Sequence, residues 1–125
     1  MTNDVIKHSS QEHEELMQAV QAWHFMTFID DQTEPATLAG QLLKLEEELR
    51  EVSSAKTLAD KEKENADFWI VLAGLRNFDS AIGALFERLL GTFVDYSRID
   101  RFIVKKMTIN RKRTWKNIGN GIFHH

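Results

Sequence analysis

A chain of 125 residues with 42% apolar content can build one hydrophobic core and not two, so a single domain over residues 1–125 is expected. Zero Cys excludes disulfides, thiolate zinc sites and cysteine nucleophiles, and fits a cytoplasmic, reducing location. No apolar run reaches bilayer length, residues 1–10 hold no signal-type apolar stretch, and a net charge of −3 without a nucleic-acid-binding motif argues against membrane and nucleic-acid partners.

One Pro, six Gly and little period-two alternation leave helices as the expected elements. Ser9 and Glu12 suit a capping box ahead of helix one, whose apolar positions are Leu16, Ala19, Val20, Trp23 and Met26. Residues 29–34 read as a loop, and Pro35 suits the first turn of helix two, which carries a stripe of Leu38, Leu42, Leu45, Leu49 and Val52. Thr57 to Lys63 is polar, a loop or a solvated helix start. Helix three follows with Ala66, Phe68 to Ala73 and Leu75; apolar nearly all round, it is expected to be the central helix.

Asp79 or Ser80 can cap helix four, with an inner face of Ile82, Leu85, Phe86, Leu89 and Phe93. After a break near Gly91 or Asp95, Ile99, Phe102, Ile103 and Met107 continue the apolar pattern. Residues 116–125, with Gly119 and Gly121, read as an irregular tail, leaving a core of about 9–115. Helices with short connections predict an all-α fold of the four-helix-bundle type, and apolar surface on so small a domain favours an oligomer.

The charges are segregated. Acids crowd Gln41 to Asp67, and bases crowd Arg98 to Lys116. Within the acidic segment Glu48 and Glu51 stand three apart on helix two, and Glu64 and Asp67 stand three apart at the start of helix three. Residues three apart share a helix face, so neighbouring antiparallel helices would bring four carboxylates together. Such a group repels itself unless neutralised, and hard oxygen donors without His or Cys suit Mg²⁺ or Mn²⁺ rather than zinc. Taken alone, Glu48 and Glu51 also suit a solvated face, with Lys44 as an i, i+4 partner of Glu48. Asp67 is harder to place that way, because it directly precedes the apolar run of the central helix.

The arrangement Glu48-x-x-Glu51, twelve residues, Glu64-x-x-Asp67, followed downstream by Lys106…Asn110-x-x-Arg113, resembles the all-α NTP pyrophosphohydrolase superfamily and, within it, the MazG-like enzymes. The resemblance covers roughly Leu38 to Trp115. It implies a dimeric or tetrameric helical domain in which Glu48, Glu51, Glu64 and Asp67 hold Mg²⁺ (Mn²⁺ as substitute). The implied reaction is in-line attack of an activated water on the α phosphorus, giving a nucleoside monophosphate and pyrophosphate. One of the four carboxylates doubles as general base. The short spacer argues against the inserted helix of some dUTP-specific relatives.

On this reading Lys106 and Arg113 neutralise phosphate oxygens, and Asn110, at helical spacing between them, reads base or sugar. Trp23 and His24, with Trp69, are the candidates for a base slot; each also suits the core. Glu47 is rotated away from the site on helix two. The alternatives are a phosphoribosyl-ATP pyrophosphatase-like enzyme on the same fold, or a non-catalytic helical interaction module with solvated acids.

Overall fold

In the computed structural model one helix is wrapped by the rest. The structure describes residues 2–91, 94–119 and 121–125. Among these lie five helices, α1 (Thr2–Phe28), α2 (Leu38–Ser54), α3 (Leu58–Leu75), α4 (Ser80–Gly91) and α5 (Tyr96–Asn110), followed by β1 (Lys116–Asn117) and β2 (Phe123–His124). The domain is mostly helical, as its composition predicts, and none of its described helices is long and apolar enough to cross a membrane.

Helix α3 is the centre. Its residues from Phe68 to Leu75 are all buried, which matches a sequence apolar on every face. Met17 and Val20 of α1 and Ile99, Ile103 and Met107 of α5 close around it, with Leu45 and Val52 of α2 packed from the other side. Helices α2 and α3 are joined only by residues 55–57, so the chain returns antiparallel and the two pack side by side. Both starts are set by threonine caps: the hydroxyl of Thr37 accepts from Gly40 N at 3.0 Å, and that of Thr57 from Asp60 N at 3.1 Å.

Several expectations need correcting. The backbone is helical from Thr2, so Ser9 does not begin α1; the sequence has no Pro or Gly before it to stop the helix. Pro35 precedes α2 rather than entering its first turn, because Thr37 takes the extended conformation of the cap. The leucine stripe of α2 does not face inward as a whole. Leu38, Leu42 and Leu49 are exposed, whereas the buried or half-buried positions include Gln41, Leu45, Glu48 and Val52.

Helix α4 is turned over. Ile82, Leu85, Phe86 and Leu89 are exposed, and its buried residues are Gly83 and Glu87; Phe93 lies outside the described residues. The cause is Arg76, just past α3. It donates to both oxygens of Glu87, at 2.7 and 2.8 Å, and to both of Glu14 on α1, at 2.8 and 2.7 Å. Gly83 lets α4 sit against Arg76, since an added Cβ would stand 3.2 Å from its Cγ. The ion-paired edge of α4 therefore takes the interior, and its apolar stripe is left outside.

The tail is ordered into a hairpin rather than irregular. Lys116 pairs with His124 and Asn117 with Phe123, antiparallel, and Gly121 takes a left-handed φ of 71° that suits glycine. Asn117 donates to Glu34 O at 2.7 Å. Phe123 buries itself with Phe28 and Ala36 in a second apolar cluster, flanked by Trp23, Phe78 and Trp115. Strands of two residues carry no readable periodicity, so this closure left no trace in the pattern.

Candidate active site

A cavity of about 300 Å³ opens between α1, α2, α3, the end of α5 and the hairpin. Glu48, Glu51, Glu64, Asp67, Lys106, Asn110, Arg113, Trp23 and His24 all line it. Every residue of the sequence-derived site thus borders one space. Trp69 does not: it is 1% exposed in the main core, edge-on to His13 and Tyr96.

One end of the cavity is acidic. Three of the acids converge, with carboxylate oxygens of Glu48, Glu51 and Glu64 within 4.8 Å of one another. Asp67 stands beside them and makes an ion pair with Lys106, Oδ2 to Nζ 3.2 Å. The helix geometry explains the meeting: each pair is one turn apart on its own helix, and the two helices are adjacent.

The electrostatic cost of this corner is visible. Burial, then the neighbouring Glu51, pushes the Glu48 carboxyl up to about 8. Burial and Glu51 also raise Glu64. Burial raises Asp67, opposed by Lys106. Glu48 is almost fully buried, and its Oε2 has no hydrogen-bond partner. A solvated face does not describe it, and Lys44 makes no ion pair with it but donates to Phe123 O at 3.4 Å. Glu48, Glu51 and Glu64 are the residues that could hold a divalent cation here. The all-oxygen donor set suits Mg²⁺ or Mn²⁺.

The facing side is basic. Arg113 donates to Asn110 Oδ1 at 3.2 Å, and Trp115 Nε1 donates to Asn110 O at 3.2 Å. Asn110 is buried and lines the cavity, and its amide oxygen holds the arginine in place. Lys44 adds a third cation at the rim. His125 leans on the Trp115 ring, 5.4 Å between centroids. Desolvation and the charges of Arg113 and Lys44 lower its pKa.

The remaining wall is apolar and aromatic. Trp23 is half-buried, edge-on to Phe28 and Trp115 at 5.3 and 6.0 Å. His24 is buried, and that burial lowers its pKa to about 4, so the ring is neutral near pH 7. Residues missed by sequence reasoning are Gln41, Lys44, Phe123, His124 and His125. Gln41 alone had a signal: with Leu45, Glu48 and Val52 it forms a second stripe at helical spacing, less apolar than the leucine stripe. Glu47, expected to point away, lines the rim.

Comparison of the chain with protein-family models, curated proteins and solved structures gives no match in any of the three.

Proposed function

We propose that this chain is a magnesium-dependent nucleoside triphosphate pyrophosphohydrolase of the MazG-like, all-α kind, converting a (d)NTP and water to a (d)NMP and pyrophosphate. The observation that carries the reading is a single cavity in which Glu48, Glu51 and Glu64 converge and which Lys106 and Arg113 also line. A triphosphate needs both: acids to hold its divalent counter-ion, and cations to take its oxygens.

A bound Mg²⁺, held by Glu48, Glu51, Glu64 and Asp67, supplies Lewis-acid polarisation of the phosphates and a more acidic water. The chain's own groups do the rest. One of the four carboxylates accepts the proton of the attacking water. The bond from the α phosphorus to its bridging oxygen breaks, and pyrophosphate leaves toward Lys106 and Arg113, whose charges offset the growing negative charge. Asn110 positions Arg113 for this. The apolar wall at Trp23 receives the base.

The domain is proposed to work as a homodimer or homotetramer in the cytoplasm. Exposed Ile82, Leu85, Phe86 and Leu89 on α4 and Leu42 and Leu49 on α2 support association, because a small monomer rarely leaves that much aliphatic surface wet.

The test is a panel of nucleoside triphosphates and phosphoribosyl-ATP with Mg²⁺, scored for monophosphate product, pyrophosphate and orthophosphate. Pyrophosphate with the monophosphate is the expected pair. Orthophosphate release overturns cleavage between the α and β phosphates, and turnover confined to phosphoribosyl-ATP moves the substrate to that relative.

A further inference from the structure

A chain of hydrogen bonds runs through the cavity wall, anchored at both ends on backbone. Asn77 Nδ2 donates to Gln21 O at 3.0 Å and lies 3.0 Å from His24 Nδ1. His24 Nε2 lies 3.0 Å from Gln41 Oε1, and Gln41 Nε2 donates to Val71 O at 2.7 Å. The two carbonyls fix the polarity of everything between them. Because a carbonyl only accepts, Asn77 turns its NH₂ to Gln21 O, and His24 Nδ1 must accept from that same NH₂. Nε2 therefore carries the ring proton and donates to Gln41 Oε1, which leaves the Gln41 NH₂ toward Val71 O. Reversing either amide would set oxygen against a backbone oxygen.

Four elements are shaped around this relay. His24 comes from α1, Gln41 from α2, Val71 from α3, and Asn77 from the turn after α3. Gly74 makes the room: a Cβ there would stand 2.6 Å from His24 Cδ2 and 2.7 Å from Gln41 Nε2. Both His24 and Gln41 are nearly fully buried, yet both line the cavity. An apolar pair would fill this wall at less cost in desolvation, so the polar relay calls for a use.

By valence, Gln41 retains one amide N–H and one carbonyl lone pair after its two bonds in the relay. Gln41 lines the cavity, so these two groups are what this part of the wall can offer a ligand. We propose that Gln41 reads the hydrogen-bonding edge of the nucleobase, its N–H meeting a base acceptor and its oxygen meeting an adjacent base N–H, while the relay through His24 and Asn77 prevents the amide from turning over. The inference rests on the pyrophosphohydrolase reading and deepens it. The substrate class becomes triphosphates whose base presents a neighbouring donor and acceptor. A triphosphate lacking one of the two is rejected, because Gln41 would be left with a buried, unpaired group. Gln41 is then a specificity residue, and His24 and Asn77 are positioning residues.

The experiment compares each standard nucleotide with an edge-modified analogue: dTTP with N3-methyl-dTTP, and dATP with the triphosphate of purine deoxyriboside. The enzymes are the unmodified chain and Gln41→Met, with pyrophosphate release as readout and helical content checked by circular dichroism. For the unmodified enzyme, the better of the two standard nucleotides should exceed its own analogue in kcat/KM by about 10-fold or more. In folded Gln41→Met the two should come within about 3-fold of each other through loss of activity on the standard nucleotide. Equal rates on both by the unmodified enzyme overturn the role of Gln41 while leaving the pyrophosphohydrolase reading intact, and need no variant to fold. Discrimination that survives in folded Gln41→Met overturns it as well. Absence of turnover on every nucleotide overturns both readings together.

Discussion

Lys106 on α5 reaches across to Asp67 on α3, 3.2 Å from nitrogen to oxygen, at the place where the acidic end of the cavity meets the basic side. The pair is only about a quarter exposed, so Lys106 offsets the charge of a largely buried carboxylate. Under the proposed function its value lies in position: a cation held beside the acids meets the phosphate charge that develops in the reaction. On the proposed reading Lys106→Met is expected to lower kcat by about 100-fold, the range seen when one charge-stabilising donor is lost, and to lower the melting temperature by leaving Asp67 without its counter-charge. Steady-state pyrophosphate release and a thermal melt check both halves. A variant with wild-type kcat would remove Lys106 from the phosphate side.

The buried Glu48 makes a prediction about pH. Its ordinary pKa of 4.5 rises to about 8 in the folded chain, through burial and then Glu51. A raised folded-state pKa means that the group's contribution to stability is complete below its unfolded pKa and is lost as pH rises toward and through its folded pKa. Without divalent cation, the melting temperature of the wild type should thus fall between about pH 5 and 8, and Glu48→Gln should flatten that fall. A cation demands the ionised form, so apparent Mg²⁺ or Mn²⁺ affinity should climb over the same window as protons are released. Melts with and without MnCl₂ across pH provide the measurement. The account fails if Mn²⁺ stabilises Glu48→Gln as much as the wild type.

How much of this was legible in the residues differs by element. The spacing of Glu48 with Glu51, and of Glu64 with Asp67, needed only helical periodicity and two adjacent helices, and the structure brings these acids to one end of one cavity. The central helix was legible for the same reason, being apolar on all sides. What periodicity misjudged was direction. Helix α4 has a clear apolar stripe, yet Arg76 takes Glu87 inward, and its other partner, Glu14, lies 62 residues away. Such a tertiary ion pair has no local signature. In α2 the brightest stripe was likewise not the buried one, because the cavity wants Gln41 and Glu48 on its wall. The hairpin of Phe123 was hidden by its brevity.

The outward stripe of α4 predicts association. Leu85 is 54% exposed in its middle, flanked by Ile82, Phe86 and Leu89. Light scattering coupled to size exclusion should give the wild type a mass that is a multiple of the 14.5 kDa chain. Leu85→Glu should shift it to a single chain, since burying an unpaired carboxylate in an apolar contact is costly, while circular dichroism stays the same. A wild type that runs as a single chain at micromolar concentration would show that the stripe is not a subunit contact.

Phe123 links the tail to the cavity wall. It is 8% exposed, packs 4.9 Å from Phe28 between ring centroids, and borders the same space as Trp23. Phe123→Ala removes a large buried ring at the end of a short hairpin, where the neighbours have room to relax. A loss of about 3 kcal/mol in urea denaturation is expected, at the low end for a core phenylalanine. The kinetic effect should fall on binding, because Phe123 borders the aromatic wall, whereas the acids belong to α2 and α3. KM for the preferred nucleotide should rise by about 10-fold with kcat nearly unchanged, the pattern of lost uniform binding. An equal fall in kcat and kcat/KM would instead tie the hairpin to the reacting phosphates, through Lys44, which donates to the Phe123 carbonyl.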